Sequence, residues 1–69
     1  MNFIQGFYKH NKTGNIYYAE KILTNATNVN DGEKMVEYYS YGNQFVHFDE
    51  GYVRNYKEFM EKFTKANIE

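Results

Sequence analysis

Three groups of side chains in this 69-residue chain are of types that can do chemistry. The first is Arg54, the sole arginine, which stands just before Asn55-Tyr56-Lys57-Glu58, a stretch that reads as a helix start. Helix N-termini and guanidinium forks both favour carboxylate or phosphate, so Arg54 is a candidate anion contact. Its plainer alternative is a surface ion pair with Asp49, Glu50 or Glu58. The second group is His10 and His47 with Asp49. A metal or acid–base site needs more than this: the spacing fits no known ligand set, and no Cys or third His completes one. Half-buried, hydrogen-bonded histidines are the expected outcome. The third group interleaves Lys9, Lys12 and Lys21 with Tyr8, Tyr17 and Tyr18. Rings stack on bases and ammonium groups meet phosphates, so the combination suits a nucleotide or a single strand. A solvated hairpin face with rings packed across strands is the alternative. The candidate ligand-binding set is Arg54, Tyr8, His10, Lys12, Tyr17 and Tyr52. Asp49 and Glu50 are adjacent, so on a strand they point apart and make a poor catalytic couple. With no nucleophile elbow, phosphate-cradling loop or zinc signature, the chain is expected to be no enzyme and to hold no cofactor or metal.

These groups need elements to position them. Asn55 to Phe63 has the one clear helical period: Tyr56, Phe59, Met60 and Phe63 fall at i, i+3, i+4 and i+7. Asn55 is a good N-cap and Glu58 stands where a capping box wants its acid. Glu58–Lys62 and Glu61–Lys65 are acid-before-base pairs four apart. Upstream, alternation predicts strands over Phe3–His10 and Ile16–Thr24, joined by a turn at Asn11–Asn15 with Gly14 supplying the positive φ. The polar stretch Asn25–Lys34 reads as a long hairpin loop. Met35–Tyr41 is a third strand, Gly42-Asn43 a tight turn, Gln44–Phe48 a fourth strand, and Asp49-Glu50-Gly51 another turn before a short strand at Tyr52–Arg54. The tail from Lys65 is expected to fray. The expected fold is mostly β: a small curled antiparallel sheet, or SH3-like partial barrel, of about five strands with one C-terminal amphipathic helix. Residues 1–69 form a single domain.

Composition bounds the function. A chain this size buries only about 60% of its unfolded surface. It has no Cys, so disulfides and thiolate metal sites are excluded as staples, and self-association becomes the natural remaining one. Aromatic residues make up 20%, from eight Tyr and six Phe, too many for so small a core. Some rings must therefore face a ligand, a partner or water. The net charge of −1 argues against a long nucleic acid, which usually calls for a basic protein. The charge is uneven: the first thirty residues are basic and Asp31 to Glu50 strongly acidic. No apolar run is long enough for a signal peptide or membrane span, so the expectation is a cytoplasmic protein with no membrane contact. The glycosylation-type triplets Asn11-Lys12-Thr13 and Asn25-Ala26-Thr27 read as turn residues.

Three runs, in order along the chain, carry a resemblance. Gly6, Tyr8, His10 and Lys12 are followed by Gly14 and the Tyr17-Tyr18 doublet. Met35-Val36-Glu37-Tyr38 runs on to Tyr41-Gly42. Tyr52-Val53-Arg54-Asn55-Tyr56-Lys57-Glu58-Phe59 is followed by Glu61. Together they resemble the small bacterial and phage proteins of the domain-of-unknown-function 1653 family. The sequence departs from that pattern at Tyr52, where the family has Trp, at Asn55, where it has Pro, and in extra residues around Phe45 to Gly51. The resemblance implies a compact β-rich module without known catalysis and names no ligand.

The functional expectation is a small non-enzymatic binding module, a self-associating homo-oligomer that binds or sequesters a small anionic, nucleotide-like molecule. The alternatives are a protein-interaction or inhibitor module of phage or mobile-element type, in which the acidic 31–50 segment imitates an acidic partner, and a single-stranded nucleic-acid binder.

Overall fold

The computed structural model describes residues 3–41 and 46–67, over 46–50 for the backbone alone. The chain runs β1 (Gly6–His10), β2 (Ile16–Thr24), β3 (Lys34–Tyr41), β4 (Val46–Asn55), α1 (Tyr56–Lys62) and β5 (Phe63–Lys65). All pairings are antiparallel and the sheet order is β4-β3-β2-β1-β5. The fold is therefore mostly β, a curled five-stranded sheet with one short helix. It does not close into a barrel, because β4 and β5 remain its edges.

The helix dictates the curl. It carries the chain from one edge strand to the other. The gaps between five flat strands would separate those edges by about 19 Å. The helical rise from Asn55 to Phe63 covers only about 12 Å. The sheet must bend toward the helix for β5 to reach β1. Asn55 starts the helix as expected, its side-chain Oδ1 accepting the Glu58 N–H at 3.0 Å. Its Nδ2 donates to the Glu33 carboxylate, which ties the cap to the end of the 25–33 loop. The capping box is not completed, because the Glu58 carboxylate turns to Arg54 instead. The helix ends one residue earlier than the period suggests: Phe63 is the C-cap, with extended φ and ψ, and opens β5.

The core lies between sheet and helix. Tyr8, Ala19, Val36, Tyr38, Phe59 and Phe63 are all 5% exposed or less, and Phe3, Tyr17, Ile22 and Tyr56 pack against them. Phe59 and Phe63 stack at 4.2 Å, and Tyr8 and Tyr38 meet Phe59 at 5.1 and 5.3 Å. Burying each such ring contributes about 1.5–3 kcal/mol. Met60, placed by the period on the same helical face, is instead 41% exposed: two turns of helix are too short for four positions to reach the core.

Three expectations need correction. Asp49-Glu50-Gly51 is no turn but the middle of β4, so the strands expected on either side of it merge into one. The fifth strand comes after the helix, not before it. Lys65 does not begin a frayed tail: it pairs with Tyr8, and the Ala66 N–H donates to the Phe7 carbonyl at 2.9 Å. Lys65 thereby leaves the helix, and the Glu61–Lys65 pair is no longer a helical one. The expected turn at Gly42-Asn43 and the start of the fourth strand at Gln44 and Phe45 lie outside the described residues. The 25–33 loop is built by Asn25, whose side chain accepts from the Thr27 N–H and hydroxyl and donates to the Val29 carbonyl. Gly14 takes a φ of 78° in the first turn.

Candidate functional site

Five of the six candidate residues lie toward the helix side of the sheet. Alternation places Gly6, Tyr8 and His10 of β1 on that side, opposite Ala19 and Tyr17 of β2, with Tyr38 of β3 and Tyr52 and Arg54 of β4 continuing the row. Tyr8 is 2% exposed and donates its hydroxyl to the Ile4 carbonyl at 2.6 Å. The Lys65 ammonium stands 5.6 Å from its ring centre. Burial raises the Tyr8 phenol pKa above 10.0. Tyr17 meets Tyr38 and Phe63 edge-on, each at 5.5 Å, and Tyr52 at 6.4 Å. Tyr52 is the exposed rim of this cluster, 43% accessible and 5.4 Å from Tyr38. His10 lies edge-on to Phe63 at 4.9 Å, and its Nδ1 accepts the Thr13 N–H at 3.3 Å, closing the first turn. Lys12 stands exposed in that turn and does not join the others.

Arg54 is committed to the fold on three sides. Its Nε donates to the Tyr38 hydroxyl at 3.2 Å, its Nη1 reaches Glu58 at 2.8 Å, and its guanidinium carbon lies 5.7 Å from the Phe63 ring centre. The Tyr38 bond, with Glu58 adding attraction, holds its charge more firmly than usual. A strand-end arginine next to a helix start has here folded back onto both, the ion-pair alternative with Glu58.

Two clefts flank this cluster. One, of about 390 Å³, is lined by Gly14, Asn15, Ile16, Tyr17, Ser40 and Tyr41. The other, of about 330 Å³, is lined by Glu33, Lys34, Asn55, Tyr56 and Lys57. The first carries no charged side chain and includes only Tyr17 of the candidate set. Among the described residues no three His, Asp or Glu side chains converge as a metal site. The side chains of His47 and Asp49 lie outside them.

The opposite face of the sheet holds what the residue-by-residue reading did not assemble. Phe7, Tyr18, Tyr39 and Tyr41 come from three strands and form one half-exposed aromatic row. Phe7 meets Tyr18 at 5.2 Å and Tyr41 at 4.9 Å, both edge-on, and Tyr18 lies across from Tyr39. Leu23 opposite Met35, and Val53 at 58% exposure, extend the apolar surface. Gly51, across from Tyr39, leaves the space this ring fills: a Cβ there would fall 2.7 Å from the Tyr39 ring. Lys9 and Lys21 supply positive charge on this face, and Glu37, paired across from Lys21, negative charge. Glu20 sits in the bulge where the β2–β3 register shifts. Partial burial, then the charges of Glu37 and Glu20, raise the Tyr39 phenol pKa. The alternation of Phe7 with Lys9 and of Tyr39 with Tyr41 was the signal for this face. Joining the strands needed the register and the bulge.

No helix among the described residues is long and apolar enough to cross a membrane. The chain matches no protein-family model, no curated protein and no solved structure.

Proposed function

We propose that the protein is a non-enzymatic binding module whose working surface is the open aromatic face of the sheet, and that it recognises a protein surface that is apolar at its centre and of mixed charge around it. The observation that carries this reading is the row Phe7, Tyr18, Tyr39 and Tyr41, half exposed on the face of the sheet away from the helix. Tyrosine and phenylalanine supply rigid contact area at low entropic cost and are enriched where protein surfaces meet. Glu20 and Glu37 beside Tyr39 work against a phosphate backbone, so single-stranded nucleic acid fits this face less well than protein. A small anionic ligand at Arg54 has less support, because that guanidinium already serves Tyr38, Glu58 and Phe63. A place among the domain-of-unknown-function 1653 proteins agrees with a small binding module.

The test is photo-crosslinking in the host cell, with a benzophenone amino acid placed at Tyr18, at Tyr39 or, as a control on the helix, at Met60. Crosslinks from positions 18 and 39 to one protein, absent from position 60, are expected. Crosslinks to nucleic acid, or equal capture at all three positions, overturn the reading.

A further inference from the structure

The larger of the two clefts, about 390 Å³, belongs to neither aromatic cluster. Gly14 and Asn15 of the first turn, Ile16 and Tyr17 at the start of β2, and Ser40 and Tyr41 at the end of β3 line it. Two local features open the space. Gly14 has a φ of 78°, and a Cβ built there meets no heavy atom within 4 Å. Ser40 lies across from Tyr17 on one side, but the β3–β4 register shifts between Tyr39 and Tyr41, so Ser40 is left without a partner in that pairing. The backbone of Asn15 is used up: its N–H donates to the Thr13 hydroxyl and its carbonyl accepts from His10. Its side-chain amide, and the hydroxyls of Tyr17, Ser40 and Tyr41, make no hydrogen bond to any described residue.

We propose that this cleft is a binding site for a neutral sugar, one hexose ring. A lining with no charged side chain gives a phosphate or carboxylate nothing to pair with, so the ligand is uncharged. Three hydroxyls and an amide can each both donate and accept. They match a ligand whose own polar atoms do the same, as sugar hydroxyls do. A nucleobase edge instead presents donors and acceptors at fixed places, which rotating hydroxyls do not tell apart. The tyrosine rings and Ile16 offer apolar area to the C–H groups of a pyranose. Tyr, Ser, Gly and Asn are also the residue types that combine rigid contact area with adaptable hydrogen bonding. The volume lies at the small end of the range for ligand pockets, which suits one ring rather than a dinucleotide. The site shares Tyr41 with the open aromatic row but not Tyr18 or Tyr39, so it goes beyond the protein-binding reading and does not rest on it.

Titration of the ¹⁵N-labelled chain with glucose, galactose, mannose and N-acetylglucosamine, each to about 100 mM, tests it. At least one is expected to shift the amides of Gly14, Asn15, Ser40 and Tyr41 saturably, with a Kd on the order of millimolar. Asn15→Ala and Ser40→Ala change exposed side chains and should each weaken that binding roughly two- to tenfold, with the remaining resonances unmoved. Val29→Ser, at the opposite end of the β2–β3 hairpin, should leave it unchanged. The 6-phosphate of the bound sugar should bind no tighter than the sugar itself. No saturable shift with any of the four, or shifts centred elsewhere, overturns the proposal. So do unchanged binding in both alanine variants, tighter binding of the phosphate, and a preference for adenosine or uridine over every sugar. None of these results touches the crosslinking test of the aromatic face.

Discussion

The two faces of this sheet are made of the same material and behave differently. Under the helix, Tyr8, Tyr17 and Tyr38 are gathered with Phe59 and Phe63, and among the described residues no buried side-chain nitrogen or oxygen lacks a partner. Tyr8 bonds Ile4 and Tyr38 bonds Arg54. On the far side, Phe7, Tyr18, Tyr39 and Tyr41 lean on one another and on cross-strand neighbours, and stay half exposed. Aromatic content alone therefore locates neither core nor site. What separates them is whether a second layer covers the rings, and a helix of seven residues covers only one side.

The comparison breaks first at Phe59. Phe59→Ala should cost about 3–5 kcal/mol by urea denaturation, because the ring is fully buried and holds the helix to the sheet. A loss below about 1 kcal/mol would mean that the helix-side cluster is not the core. Arg54→Ala comes next, at about 1–2 kcal/mol, from the lost hydrogen bond to Tyr38 and the lost cover on Phe63, with little from the partly solvated Glu58 pair. Unchanged stability would return Arg54 to the list of free ligand contacts.

The open face should give smaller numbers. Gly51→Ala is expected to cost about 1 kcal/mol, since the Tyr39 ring must swing away from the new methyl group, and the double variant with Tyr39→Ala should recover most of it. Tyr18→Thr should cost under about 1 kcal/mol while removing the crosslinking partner. A loss as large as that of Phe59→Ala would make the open row a second core.

Alkaline titration sharpens the contrast further. Tyr8 and Tyr39 both ionise above their ordinary value of 10.0. A raised phenol contributes stability that is full below pH 10 and is lost as pH rises through the folded-state value. Burial is the leading cause in both, but Tyr39 also feels Glu37 and Glu20. Added salt should therefore lower the Tyr39 ionisation midpoint, followed by ultraviolet absorbance in single-tyrosine-to-phenylalanine variants. It should leave that of Tyr8 nearly unmoved.

Much of the fold was legible because local chemistry and tertiary structure agree. Asn55 caps the helix as its side chain suggests, Gly14 takes the positive φ, and Tyr17 and Tyr18 point to opposite faces. The misreading at Asp49-Glu50-Gly51 has a clear cause: those residue types favour turns, but β4 runs extended through them, into a β3–β4 pairing that is anchored at Gly51 opposite Tyr39 and shifts register beyond it. β5 was illegible because three residues carry no period, and only its pairing with β1, some fifty residues away in sequence, makes it a strand. The candidate site was half legible. Alternation placed Tyr8 and His10 together, but Arg54 looks free in sequence and is occupied in space by a tyrosine sixteen residues earlier. The open aromatic row could be read within each strand from alternation, but not joined across strands without the bulge between Ala19 and Lys21, which decides which tyrosines of β3 face which of β2.

The adjacency of β1 and β5 has a consequence for connectivity. With Tyr8 beside Lys65 and Ala66 bonded to Phe7, the first and last strands leave the sheet as neighbours. Chain leaving both ends departs from one corner of the molecule, so the unit can be inserted into a surface loop of another protein, or re-joined end to end and reopened within the exposed 26–32 segment, without stretching any strand.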